Sequence, residues 1–183
     1  MNLVERVKGI ILTPKTEWPI IAGEPGDVGT LFGGYVAILA AIPAVCGFIG
    51  AVLGGAPVVA ALIGAVIKYL LTFVAIYVIA WIIDMLAPTF SSTKNFGSAL
   101  KLTVYSYTPT WLCGIFLLIP GLRFLTILGL YGLYLLWLGL PPLMKTPPDK
   151  TIGYTIAIII CALIIAILIG LLVGGLIGIR GFM

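Results

Sequence analysis

Residues 152–179 read IGYTIAIIICALIIAILIGLLVGGLIGI. No charged side chain interrupts the stretch. A helix needs only about 20 apolar residues to cross a hydrocarbon core ~30 Å thick, so this segment alone predicts a membrane span. Four more segments of the same kind precede it. Lys145 to Lys150, with Pro147-Pro148, is a loop, and before it comes a span over 122–144. Pro120-Gly121 is a tight turn behind a span over 98–119, and a polar loop runs from Pro88 to Phe96. The span over 58–87 is long and should tilt or protrude. Gly54-Gly55-Ala56-Pro57 separates it from the first span, over 30–53. The fold class is therefore all-α, a polytopic bundle of five transmembrane spans in one domain covering residues 1–183. Four spans is the alternative, if the first or the long second is misread.

Composition agrees. The chain is 62% hydrophobic and 9% charged, with mean hydropathy +1.26, against about 45–50% and about 25% in soluble domains. The net charge of +4 comes from scattered basic residues rather than a patch, which argues against nucleic acid and leaves charge as a topological signal. With the N-terminus inside, the inner segments carry Arg6, Lys8, Lys15, Lys94, Lys145 and Lys150, and the outer segments only Arg123 and Arg180. Basic residues in short loops favour the cytoplasmic side, so the N-terminus is expected in the cytoplasm and the C-terminus outside.

The leading residues 2–12 place Leu3, Val4, Val7, Ile10 and Ile11 on one helical face and Glu5, Arg6 and Lys8 on another. They predict a short amphipathic helix in the membrane interface. The alternative is a solvated tail. Thr13-Pro14 should end the helix, because the residue before proline avoids the helical region. Trp18 suits the headgroup layer, and basic residues near it favour anionic lipid. The first apolar span begins too late, after too acidic a lead, for a cleavable signal peptide.

The chain has no histidine, which removes the commonest general base and metal ligand. Cys46, Cys113 and Cys161 stand alone in apolar spans and form neither a disulfide framework nor a redox pair. Ser98, Ser106 and the tyrosines have no base partner except lysine, and no glycine-rich stretch ends as a phosphate loop does. No catalytic residue, metal site or cofactor is expected.

Three features resemble the bacterial branch of the Yip family, membrane proteins whose eukaryotic members are named for interacting with Ypt/Rab GTPases. The lead RVKGIILTPKTEW, Arg6 to Trp18, resembles the family's short basic helix followed by Pro and then Trp. Tyr105-Ser106-Tyr107-Thr108-Pro109 resembles its Tyr-rich, Pro-containing third span. The five-span layout behind a short cytoplasmic segment is the third likeness. The resemblance implies a polytopic protein of the bacterial inner membrane, with a suggestion of transport and no established chemistry. The long cytosolic N-terminal region and the Asp-Leu-Tyr-Gly-Pro motif of the eukaryotic pattern are missing, which argues against a GTPase partner.

Ionisable groups inside spans are costly, so each is a candidate site. Asp84 and Lys101 fall at matching depths at the inner ends of the second and third spans, which predicts an ion pair at the cytoplasmic edge. Lys68 falls near mid-membrane, ~15 Å from the start of its helix. Pro43, Thr108-Pro109 and Tyr131 fall at the same depth in other spans. Pro43 and Pro109 would free the carbonyls of Leu39 and Tyr105, and the Lys68 ammonium has three donors to offer. The expectation is a polar pocket of Lys68, Tyr105, Thr108 and Tyr131, the kind of broken-helix site transporters use. The plainer alternative is a pair of kinks and a snorkelling lysine. Gly170, Gly174 and Gly178, with Gly50 and Gly54, form small-residue strips that let helices approach closely, within the chain or in a homo-oligomer. Two functions remain open. One is an adaptor or organiser acting through protein or lipid contacts; the other is a transporter or channel centred on Lys68. A single carboxylate within all the spans favours the first.

Overall fold

The computed structural model describes residues 2–180, with side-chain surroundings through Gly175. Helix α1 (Leu3–Leu12) starts where the Asn2 side chain accepts from the Val4 N–H at 3.2 Å, a cap for one of the unpaired amides at a helix start. It ends at Thr13, and Pro14 opens α2 (Pro14–Gly23). Proline suits that place because its fixed φ is helical and its missing N–H is not needed in the first turn. The two helices fold into a hairpin against the rest of the molecule.

Helix α3 (Val28–Leu53) begins at an Asp27 cap, whose carboxylate accepts from the Thr30 N–H at 2.7 Å and the Thr30 hydroxyl at 2.6 Å. It contains one π turn over Phe32–Val36. Gly55, at φ +91°, makes the turn into α4 (Val58–Leu86). Only glycine takes that left-handed conformation without strain. Helix α5 (Phe96–Ser106) starts at Asn95, whose side chain accepts from the Ser98 N–H at 2.9 Å. Short α6 (Thr108–Cys113) and a 3₁₀ segment (Gly114–Leu118) continue it. A further 3₁₀ stretch (Pro120–Leu130) leads into α7 (Tyr131–Met144), and α8 (Pro148–Arg180) closes the described chain.

Among the described residues, four helices are long and apolar enough to cross a membrane: Val28–Leu53, Val58–Phe90, Pro120–Met144 and Pro148–Gly175. The chain is thus all-helical and multi-pass. The segment predicted as a continuous third span is broken at Tyr107. Pro109 lies in the first turn of α6, where it starts a new helix instead of kinking an old one. The broken segment runs beside α3. A Cβ on Gly114 would stand 2.6 Å from Pro43, and one on Gly50 would stand 1.9 Å from the Leu117 carbonyl oxygen. Pro43 itself stays inside an unbroken α3 and serves as the surface on which Gly114 rests.

Packing is uneven. The core gathers under the hairpin, where Ile10, Ile21, Ile83, Leu102, Leu135, Leu140 and Met144 are fully buried. Towards the other end α8 is bare, with Leu163, Ile167 and Leu171 exposed. In a membrane such faces meet lipid tails, which are as apolar as leucine. Gly170 and Gly174 face open space, with nothing within 4 Å of a built Cβ. They make no packing contact within the described chain, and Gly178 lies outside the residues whose surroundings are described.

Candidate functional site

Beneath the hairpin lies a cluster of four charges, of which Arg6, Glu17 and Lys101 are buried and Glu24 is half-buried. Arg6 sits on the face of α1 that turns inward with Ile10, and only 4% of it is exposed. One guanidinium nitrogen donates to Glu17 Oε1 at 2.5 Å, and the other donates to Glu24. The same group stands 5.6 Å from the Tyr105 ring centroid, a cation–π geometry. Arginine suits this position because its planar fork can serve two carboxylates and stack on a ring together. Gly9 makes the room: a Cβ there would stand 2.5 Å from the Glu17 carboxyl carbon.

Lys101 approaches from α5. Its ammonium donates to the carbonyls of Ile21 at 2.8 Å and Glu24 at 2.7 Å, and more distantly to Ala22 at 3.4 Å. These carbonyls lie at the end of α2 and at its C-cap, Glu24, where the helix's internal bonding runs out and the negative end of its dipole lies; that of Ile21 also accepts from the Glu24 N–H at 3.2 Å. Lys101 therefore serves as a tertiary C-cap. Two cations and two carboxylates balance, so the cluster is neutral as well as partnered.

An aromatic layer supports it. Tyr105 packs edge-on against Trp18 and Tyr35, with centroids 6.4 and 4.9 Å away. The Tyr35 hydroxyl shares a 2.8 Å hydrogen bond with Thr108. Tyr131 donates to the Ile11 carbonyl at 3.0 Å and so fastens the end of α1 to α7.

Several expectations are corrected here. Asp84 and Lys101 do not pair. Both are buried, but Lys101 is taken up by the end of α2, and Asp84 Oδ1 has no hydrogen-bond partner. Nor do Lys68, Tyr105, Thr108 and Tyr131 form one pocket. Tyr105 and Thr108 do meet, through Tyr35, but Tyr131 bonds to the hairpin. Lys68 is exposed on α4 and lines a groove between α3 and α4. Helical phase decides this, since equal depth says nothing about which way a side chain points. Trp18 is 1% exposed and so faces the protein interior, not lipid. It is sunk against Gly139, where a Cβ would stand 2.8 Å from the indole.

Sequence reasoning passed over Arg6, Glu17 and Glu24 as a hydrophilic lead. A signal was available. Arg6 is one helical turn before Ile10 on the inward stripe of α1, and Glu17 is one residue before a tryptophan in a helix begun by proline.

Fold and site together define a class, the polytopic all-helical membrane protein with a short N-terminal helical hairpin locked onto its bundle. The Yip1 domain model matches residues 8–177, and the chain belongs to that family. No curated protein and no solved structure matches it.

Proposed function

We propose that this is a non-enzymatic adaptor or organiser of the membrane, working through contacts made by its N-terminal hairpin. The observation that carries the reading is the ionic cluster. Arg6, Glu17, Glu24 and Lys101 spend their bonding capacity on holding α1 and α2 in one place. What the held hairpin then presents is Lys8, Lys15, Leu12 and Ile20, all exposed. Basic side chains beside large apolar ones suit the boundary of an anionic leaflet.

In this reading the chain crosses the membrane five times, with the broken segment of residues 96–118 as the third crossing beside α3. The N-terminus is cytoplasmic, the C-terminus is outside, and the membrane is the bacterial inner membrane. Charge distribution supports the orientation, and the family supports the setting. Transport through a Lys68 pocket is the weaker reading, because the tyrosine and threonine side chains that would line it are engaged elsewhere in the fold.

The test is a polarity-sensitive bimane label at Leu12→Cys, with Cys46, Cys113 and Cys161 replaced by Ala, in nanodiscs. Anionic phosphatidylglycerol should shift the emission to the blue, and phosphatidylcholine should shift it less. Lys8→Glu with Lys15→Glu should abolish the difference. Emission that ignores lipid charge would reject the hairpin as a lipid-contacting surface.

A further inference from the structure

At the far end of the bundle from the hairpin, α3 and α4 part. The space between them is a groove of about 520 Å³. Its walls are small residues, among them Ala44, Gly47, Ala61 and Gly64, and two cations line it, Lys68 and Arg123. Arg123 is anchored at the Gly54 end, where it donates to the Gly50 carbonyl at 3.1 Å. Lys68 is ten residues into α4, ~15 Å along its axis from Val58. Side chains lean towards the start of their own helix. On α4 that direction is the Gly54 end, so the Lys68 stem can carry its ammonium towards Arg123. Among the described residues neither cation has a carboxylate within 4.0 Å. The cluster under the hairpin, where cations are matched by carboxylates, is the contrasting arrangement in the same molecule.

On the other side of the same helix pair lies an apolar recess of about 260 Å³, lined by Val45, Phe48, Leu62 and Val66. Ala44, Phe48, Ala65 and Tyr69 line both spaces. Two uncompensated cations beside hydrocarbon-lined space, on helices that face lipid, have the chemistry of an anionic amphiphile.

We propose that the α3–α4 groove binds an anionic phospholipid from the leaflet at the Gly54 end, with its phosphate between Lys68 and Arg123 and an acyl chain along the small-residue wall. The cations supply charge-assisted hydrogen bonds to phosphate oxygens, and their charge is compensated by the lipid instead of by the protein. This site is separate from the hairpin surface proposed above, at the other end of the bundle.

The experiment is native mass spectrometry of the detergent-purified full chain titrated with dioleoylphosphatidylglycerol or dioleoylphosphatidylcholine. All measurements use a Lys8→Gln, Lys15→Gln background, so that the hairpin does not contribute and failure here says nothing about it. One phosphatidylglycerol should be retained in preference to phosphatidylcholine. Lys68→Gln with Arg123→Gln should weaken retention at least about tenfold, the scale of a single lost charge-assisted contact. Ala61→Phe keeps both charges but fills the groove, and should weaken retention equally; it also serves if the double variant fails to fold. Equal retention of the two lipids, or retention unchanged in the folded variants, would overturn the proposal. Displacement by millimolar inorganic phosphate would also overturn it, in favour of a soluble anion.

Discussion

Arg6 shows how much one side chain can decide in this fold. It is nearly sealed from solvent yet bonded to two carboxylates and an aromatic face. Removing one member of a buried ion pair leaves the other without compensation, which costs roughly 3–5 kcal/mol. Arg6→Ala is therefore expected to lower the detergent melting temperature sharply. Replacing Arg6 and both of its carboxylate partners with apolar residues of similar size removes the stranded charges as well, so Arg6→Met with Glu17→Leu and Glu24→Leu should recover most of the loss. A triple variant no more stable than Arg6→Ala would refute the pairing. Gly139 offers a second test. A side chain there meets the Trp18 indole, so Gly139→Leu should push the indole out of its seat and red-shift its emission. The other three tryptophans are replaced by Phe for that measurement. An unmoved spectrum would mean Trp18 has other room.

At the level of elements, α2 is held at its end by another helix. Its final carbonyls accept from Lys101, on α5. Lys101→Met keeps the length of the stem and loses the donors. The expected cost is about 1–3 kcal/mol for the donors lost from the Ile21 and Glu24 carbonyls, and it should appear locally. Hydrogen exchange should quicken over residues 14–24 while the middle of α4 stays protected. Uniform quickening would show that Lys101 supports the bundle as a whole and not this helix end. The broken helix over residues 96–118 has a related logic. The break at Tyr107 and the 3₁₀ turns after Cys113 let Thr108 meet Tyr35 and let Gly114 rest on Pro43, contacts that one straight helix would have to make with a single phase.

For the whole molecule, the distribution of burial is the informative quantity. One end is dense, capped by the hairpin and stitched by Tyr131 and Lys101. The other end is open, with a cationic groove and a bare α8. Because α4 is long and apolar enough to cross a membrane, the Ala56 turn and the Thr93 loop should lie on opposite sides of it. Single cysteines at those two positions, in a chain without its native cysteines, should react oppositely with an impermeant thiol reagent on intact cells. Ala56→Cys should label and Thr93→Cys should not. Labelling of both, or the reverse pattern, would reject the proposed orientation.

What could be read without coordinates was what depends on local composition. A helix in hydrocarbon must satisfy its backbone internally and be apolar over its length, so the spans over 30–53, 58–87, 122–144 and 152–179 were visible as runs of residues. Proline and glycine marked the turns, and the amphipathic lead marked α1. The ionic cluster was not visible in that way. Arg6, Glu17 and Glu24 look like solvated residues until the hairpin closes, and Lys101 looks like a partner for Asp84 until α2 ends beside it. Depth along a helix follows from counting, but direction around it follows from packing, which is why Lys68 matched Tyr105, Thr108 and Tyr131 in depth and faces a different space. Tertiary structure alone chose the partners, because a buried charge pairs with whichever unmet group the fold brings within reach.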